Sequence, residues 1–159
     1  MKDSGKLKVA TPNDRDVVVT REFDAPRELV FDAHTKPELI KRWLLGPPGW
    51  TMPICEVDFR VGGKYRYGWA HPQQPAFEMS GVFREIVVPE RIVNTERFMD
   101  NEALITLVLT ERAGKTNLQL TMRFPDKAAR DAAIATGMTD GMEQSYARLD
   151  EMAAAAEGR

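Results

Sequence analysis

The chain has 159 residues, of which 43% are hydrophobic and 29% are charged, with a formal net charge of −2. This composition is typical of one soluble globular domain and excludes a disordered chain; the charge gives no electrostatic basis for binding nucleic acid or an anionic membrane. Cys55 is the single cysteine, which excludes an internal disulfide and fits a reducing cytoplasm. We expect a cytoplasmic protein, because residues 1–15 lack the apolar core of a signal peptide and no apolar run approaches the ~20 residues of a membrane span.

The first predicted elements are a strand and two short helices. Residues 1–15 read as a flexible N-terminal arm, within which Lys6–Ala10 could instead form a short edge segment. β-branched residues favour a strand at Asp16–Asp24. Asp24 as a cap and a proline two residues later favour the start of a helix, and a second helix is predicted at Pro37–Trp43.

Six further strands are predicted in the middle of the chain. In the last of them, Leu118, Leu120 and Met122 alternate with polar residues, so one face packs against the core and the other meets water, as in antiparallel sheets. The predicted strands are Pro53–Phe59, Lys64–Ala70, Phe77–Val87, Arg91–Phe98, Ala103–Arg112 and Thr116–Phe124.

The C-terminal stretch Asp126–Ala156 carries an apolar stripe at steps of three and four, which predicts a helix. Thr136-Gly137 predicts a break, with a short helix at 127–135 and a long one at 137–155. A long helix that follows antiparallel strands can bury its stripe on the concave face of a curved sheet. We therefore predict an α+β fold at 16–156, in which about seven curved antiparallel strands surround one long helix and two short helices follow the first strand.

Four segments of the sequence together resemble a known family over Val17–Met152. The chain resembles the bacterial proteins named after the C-terminal domain of the activator of the heat-shock-protein-90 ATPase, within the START-like, helix-grip (SRPBCC) superfamily that also includes the polyketide cyclases. The resemblance implies a cavity between the sheet and the helix. Leu44-Leu45-Gly46 stands where the family often has a second Trp before the Gly, and Val61 stands where Pro is common. The segments are FDAPRELVFDAHTKPELIKRWLLGPPGW, CEVDFRVGGKYRY, GVFREIVVPERIVNTE and RDAAIATGMTDGMEQSYARLDEM.

Aromatic and methionine side chains are frequent on the predicted concave face, and both types suit an apolar ligand pocket. Each one could instead simply fill the core. As a set they predict a ligand-binding cavity, with Gly141 and Ser145 leaving room in the middle of the helix stripe. The predicted cavity residues are Trp43, Trp50, Tyr65, Tyr67, Trp69, Phe77, Met79, Phe83, Met122, Met138, Met142 and Tyr146.

Arg60 and Glu96 are the possible polar handles of that cavity. Arg60 shares a predicted strand face with Glu56 and Asp58 and could grip a carboxylate, although a solvated face or a structural ion pair is the alternative. The histidines lie in different elements, and no cluster has metal-ligand spacing. The sequence therefore assigns no catalytic residue, metal or cofactor.

Three functions follow from this reading. The first is binding of a small hydrophobic or amphipathic molecule in the cavity, with no catalysis assigned. The second is a cyclase- or hydrolase-type enzyme that uses the same cavity. The third is a chaperone-associated interaction module, since the sequence does not exclude a chaperone partner and also allows a homodimer.

Overall fold

The computed structural model describes residues 7–156, which form one antiparallel sheet and four helices. The strands are β1 (Lys8–Ala10), β2 (Asp16–Phe23), β3 (Thr51–Val57), β4 (Lys64–His71), β5 (Gln74–Val87), β6 (Arg91–Phe98), β7 (Asn101–Arg112) and β8 (Lys115–Arg123). The helices are α1 (Arg27–Thr35), α2 (Pro37–Trp43), α3 (Lys127–Ala135) and α4 (Met138–Ala156). The order of strands across the sheet is β1-β2-β8-β7-β6-β5-β4-β3. No helix within residues 7–156 is long and apolar enough to cross a membrane.

The seven predicted strands correspond to β2–β8, and the eighth strand is β1 at the sheet edge. Val9 of β1 lies opposite Val19 of β2, so part of the segment that the sequence left open at Lys6–Ala10 is paired. The remainder of the predicted arm at residues 1–6 lies outside the described part of the chain.

The break before the long helix lies at Gly137, where the backbone φ is +82°. Residues with a side chain rarely adopt this left-handed conformation, and glycine does so without steric cost. The Gly137 amide donates to the carbonyl of Ile134, which ends α3. At the other end of α3, the Asp126 side chain accepts a hydrogen bond from the Ala129 amide. The predicted division into two helices is therefore confirmed.

The core lies between the concave face of the sheet and the helices. Inward side chains of neighbouring strands stand opposite one another: Leu107 on β7 faces Leu120 on β8. Phe23, Leu118 and Leu149 are fully buried, and burial of each such side chain contributes roughly 1.5–3 kcal/mol. Leu149 belongs to the inward stripe of α4, so the sheet grips this helix as predicted.

Candidate functional site

The concave face is closed at one end and accessible at the other. At the closed end Phe23, Leu109, Leu118 and Leu149 have no exposed surface. At the other end, where the β4–β5 and β6–β7 turns lie, several inward side chains are only partly buried, although Trp69 and Ala103 are buried there. Solvent therefore reaches the concave face from the end that carries these two turns. The partly buried side chains are Trp50, Phe77, Met79, Phe98, Met138 and Met142.

The structure does not bring the twelve predicted cavity residues into one wall, because they divide between two hydrophobic clusters. Tyr67 packs against both clusters and joins them. The main core contains Trp43, Tyr65, Phe83, Met122 and Tyr146, with Met138 and Met142 packed against it. The smaller cluster is built on Ile40, Met52 and Trp69, with Trp50, Phe77 and Met79 around it.

The smaller cluster is held by ring contacts under the loop that follows α2. Trp69 stacks on Phe77 with centroids 5.0 Å apart, and Trp50 meets Phe77 edge-on at 5.2 Å. The Trp69 indole donates a 2.7 Å hydrogen bond to the Leu44 carbonyl. These contacts pack the three rings against one another and against the loop after α2.

Glu96 is an acidic residue that the alternation of β6 turns into the concave face. It stands opposite Ala103 of β7. Gly81 of β5 lies on its other side. The register requires this, because Ser80 is paired with Arg97 and Phe83 is paired with Asn94, which puts Gly81 opposite Glu96. Ala103 is small on the β7 side of the carboxylate. On the β5 side a Cβ at Gly81 would clash with the Thr95 carbonyl oxygen and the Tyr65 ring, so these groups already occupy that side. The side chain keeps part of its accessible surface, and it forms no hydrogen bond or ion pair with any described residue.

Burial raises the pKa of Glu96 to about 7 from an ordinary value of 4.5. The cause is removal of water from the charged form, and no charged neighbour contributes to the shift. Burial is also the main cause of the raised pKa values of Tyr65, Tyr67 and Tyr146, and the charge of Glu96 raises each of them further. Three phenols from β4 and α4 therefore lie within electrostatic reach of this carboxylate.

The three phenols differ in their partners. The Tyr65 hydroxyl donates to the Thr95 carbonyl at 2.8 Å and accepts from Asn94 Nδ2 at 3.0 Å. The hydroxyls of Tyr67 and Tyr146 form no hydrogen bond with described residues, although Tyr146 is only 4% exposed. Tyr65 is thus a structural residue, whereas the other two hydroxyls have free bonding capacity.

His34 adds a second buried acceptor. Its Nδ1 lies 2.8 Å from the Val30 carbonyl, which can only accept, so Nδ1 carries the proton and Nε2 is the acceptor. Nε2 is buried without a hydrogen-bond partner in the described structure. Burial lowers the pKa of His34 to about 4, so the ring is neutral near pH 7. The sequence places His34 on the inward side of α1 with Val30 and Phe31, but gives no sign of its depth.

An aromatic group fixes His34 between α2 and α4. The His34 and Trp43 rings are 4.9 Å apart, and Trp43 stacks on Tyr146 at 5.5 Å. The Trp43 indole donates to the Ala33 carbonyl at 2.8 Å.

Arg21 is the cation beneath α4, and it is 4% exposed. Its guanidinium lies 3.6 Å from the Asp150 carboxylate and 4.7 Å above the Phe23 ring. The charge of Arg21 is therefore compensated by the helix, and it anchors α4 to β2.

Two expectations about polar and small residues are wrong. Arg60 is exposed on the outside, with its side chain 70% accessible, and pairs with Asp58 at 2.9 Å. The reason is that β3 ends at Val57, so Arg60 lies in a turn and not on a strand face. Ser145 accepts a 2.8 Å hydrogen bond from the Gly46 amide, and a Cβ on Gly141 would lie 3.7 Å from Pro47. Both small residues of α4 therefore pack against the loop after α2.

The outer face of the sheet carries a shallow open depression of about 510 Å³. Charges of both signs line it, including Lys64, Arg66, Arg97 and Glu102. Arg66 is paired with Glu78 at 2.8 Å. Such a polar, open surface does not suit an apolar ligand.

Metal and thiol chemistry have little support. Within residues 7–156 no group of three or more His, Cys, Asp or Glu side chains could hold a metal ion. Burial raises the pKa of the Cys55 thiol, which opposes formation of a nucleophilic thiolate.

A family model agrees with this geometry. The model described as "Activator of Hsp90 ATPase homolog 1-like protein" matches residues 24–154. The chain belongs to this family. A crystal structure of a protein from Rhodobacter sphaeroides is 30% identical, covers 94% of this chain and 99% of its own, and superimposes with a TM-score of 0.88. The expected family and helix-grip fold are confirmed.

Two solution structures extend the comparison. A protein from Staphylococcus epidermidis is 27% identical, with coverage of 92% of this chain and 93% of that chain and a TM-score of 0.77. An AHSA1-like protein from Aeromonas hydrophila shares the fold at 20% identity, with coverage of 85% and 93% and a TM-score of 0.71. No curated protein matches the chain.

Proposed function

We propose that this protein binds a small amphipathic molecule on the concave face, between α4 and strands β4–β7. The observation that carries the proposal is Glu96, a partly buried carboxyl group that faces apolar side chains and has no partner among the described residues. Burying an unpaired polar group costs roughly 1–3 kcal/mol, and more for a charge. A ligand that supplies the missing partner would recover this cost.

The surroundings of Glu96 support a site for a molecule with an apolar body. The small side chain of Ala103 leaves space on the β7 side of the carboxyl group, while the Tyr65 ring and the Thr95 carbonyl fill the side of Gly81. Apolar side chains surround that space on the sheet, with Phe83 on β5 and Ile105 on β7 buried next to it. Met138 and Met142 lie on α4 and are partly buried against the same core. Methionine adapts to varied apolar shapes, so these two residues suit the outer part of the site.

Native mass spectrometry of the purified protein tests this proposal. We expect a bound species that denaturation releases as a small amphipathic molecule, and replacement of Glu96 should reduce its occupancy. A protein of unliganded mass that also fails to take up 1-octanol at millimolar concentration would contradict the proposal.

An enzyme that uses the same site is the second candidate, because a carboxyl group with a pKa of about 7 is matched to proton transfer at neutral pH. The unpartnered Tyr67 and Tyr146 hydroxyls could bind a reacting oxygen. Hydrolysis of p-nitrophenyl octanoate tests this candidate: a rate that falls in Glu96→Gln and not in Glu102→Gln would support it. Equal rates in both variants and in buffer would exclude esterase activity.

Association with a chaperone is a separate proposal, which is supported by the description of the family. Copurification with Hsp90 at micromolar concentration would test it.

A further inference from the structure

We propose that the polar end of the ligand is a protonated amine, which donates its N–H groups to the Glu96 carboxylate. This inference rests on the proposed function and specifies the chemical class of the ligand. It follows from the kinds of polar atoms that the concave face leaves without partners, from the pairing of the nearby cation, and from the aromatic walls.

Buried atoms without hydrogen-bond partners include donors, Arg21 Nε and Arg27 Nε, as well as acceptors, but the unpartnered hydroxyls that interact electrostatically with Glu96 are those of Tyr67 and Tyr146. An ionised carboxylate at Glu96 can only accept hydrogen bonds, and Nε2 of His34 is an acceptor because Nδ1 donates to Val30. The Tyr67 and Tyr146 hydroxyls can each accept as well as donate. A ligand group with several N–H donors therefore complements the Glu96 carboxylate and these two hydroxyls better than a carboxylate would.

The protein supplies no cation to Glu96 from the described residues. Arg21 is the buried cation beneath α4, and it is paired with Asp150 at 3.6 Å, while Glu143 adds a second acidic charge beside it. A positive charge for Glu96 must then come from outside the described chain, and an ammonium group supplies it together with hydrogen bonds.

Aromatic rings next to the carboxylate favour the same sign of charge. Tyr65 and Tyr67 lie together on β4 with centroids 4.9 Å apart, and Phe83 is 5.5 Å from Tyr65. The face of an aromatic ring attracts cations through its quadrupole. An anionic head group would instead meet the like charge of Glu96. The site thus discriminates against fatty acids and other apolar carboxylates.

The rival arrangement keeps Glu96 protonated and lets it donate to a ligand carbonyl. The two arrangements differ in their response to pH. Burial places the pKa of Glu96 at about 7, and Tyr65, Tyr67 and Tyr146 are the titratable groups that face it, all with raised pKa values. Amine binding needs the ionised carboxylate and therefore strengthens as pH rises through 7, whereas carbonyl binding weakens.

Isothermal titration calorimetry with three probes of equal chain length tests the inference: octylamine, 1-octanol and octanoate. At pH 8 we expect octylamine to bind at least about tenfold more tightly than 1-octanol, the size of a charge-assisted hydrogen bond. Glu96→Gln should remove this preference. Glu102→Gln is the matched control, because it removes the same charge from the exposed side of the neighbouring strand β7 and should keep the preference.

A pH comparison on the unaltered protein makes the test independent of any variant. Between pH 8 and pH 6 the affinity for octylamine should fall about tenfold, since most Glu96 carboxylates are protonated at the lower pH, while the affinity for 1-octanol should not change.

The outcomes separate the inference from the proposed function. Equal binding of octylamine and 1-octanol, unaffected by Glu96→Gln, would overturn the amine assignment and leave apolar binding in place. Tightest binding of octanoate would also overturn it. Failure of all three probes at millimolar concentration would contradict both proposals.

Discussion

Replacement of Glu96 by glutamine should change the pH dependence of stability in a defined direction. The folded-state pKa of about 7 lies above the ordinary value of 4.5, so between these pH values the folded protein holds a proton that the unfolded chain has lost. Stability contributed by this group is therefore present below pH 4.5 and is lost as pH rises through 7. Glutamine does not titrate and avoids this loss.

The size of the effect follows from the two pKa values. A tenfold change in proton affinity is about 1.4 kcal/mol, so a shift from 4.5 to about 7 corresponds to about 3 kcal/mol. Relative to the unaltered protein, Glu96→Gln should therefore gain about 3 kcal/mol in the free energy of unfolding between pH 4 and pH 8.

His34 hides this effect in the unaltered protein. Burial lowers its pKa from 6.5 to about 4, so the unfolded chain binds a proton that the folded protein excludes, and stability rises with pH from about 4 to 6.5. The His34 and Glu96 contributions oppose each other over most of this range. The difference between variant and parent, at each pH, is the quantity that isolates Glu96.

Urea unfolding at pH 4, 6 and 8 gives this difference, with Glu102→Gln as the exposed control that should stay constant within about 0.5 kcal/mol. A difference for Glu96→Gln that is equal at pH 4 and pH 8 would mean that water solvates the carboxylate. Glu96 would then not be a desolvated group, and it could not be the centre of the proposed site.

Two further predictions concern the site. Tyr65→Phe should lower the free energy of unfolding by about 1–2 kcal/mol, because it removes the hydroxyl that bonds both the Thr95 carbonyl and Asn94 Nδ2. Tyr67→Phe should change it by less than about 0.5 kcal/mol. Urea unfolding distinguishes the two variants, and equal losses would contradict the assignment of a free hydroxyl to Tyr67. Met142→Trp should weaken 1-octanol binding at least about tenfold, because the larger side chain would fill the proposed site beneath α4. Met99→Trp is the control, since Met99 is 80% exposed, and it should leave the affinity unchanged. Calorimetric titration compares the two variants, and an unchanged affinity in Met142→Trp would place the site elsewhere.

The sequence predicts the fold well because each strand alternates and the long helix carries a clear stripe. The break at Gly137 is also local chemistry, since a left-handed φ favours glycine. The edge strand β1 is less certain from sequence, because its pairing with β2 involves only three residues.

The site is harder to predict because its parts depend on tertiary contacts. Alternation along β6 turns Glu96 inward, but its enclosure depends on Gly81 and Ala103, which neighbouring strands bring beside it. The outward position of Arg60 depends on the end of β3 at Val57, two residues earlier than the sequence pattern predicts. Likewise the rotation of α4 about its axis, which turns Ser145 toward Gly46, is set by the loop after α2.

Titration of the isotopically labelled protein with 1-octanol, followed by amide chemical shifts, shows directly whether the concave face binds an apolar molecule. We expect saturable shifts at residues that face the concave surface around Glu96, among them Tyr67, Gly81 and Met142. Shifts confined to the outer face, at Arg66, Arg97 and Glu102, or no saturable shifts at millimolar 1-octanol, would contradict a binding site between α4 and the sheet.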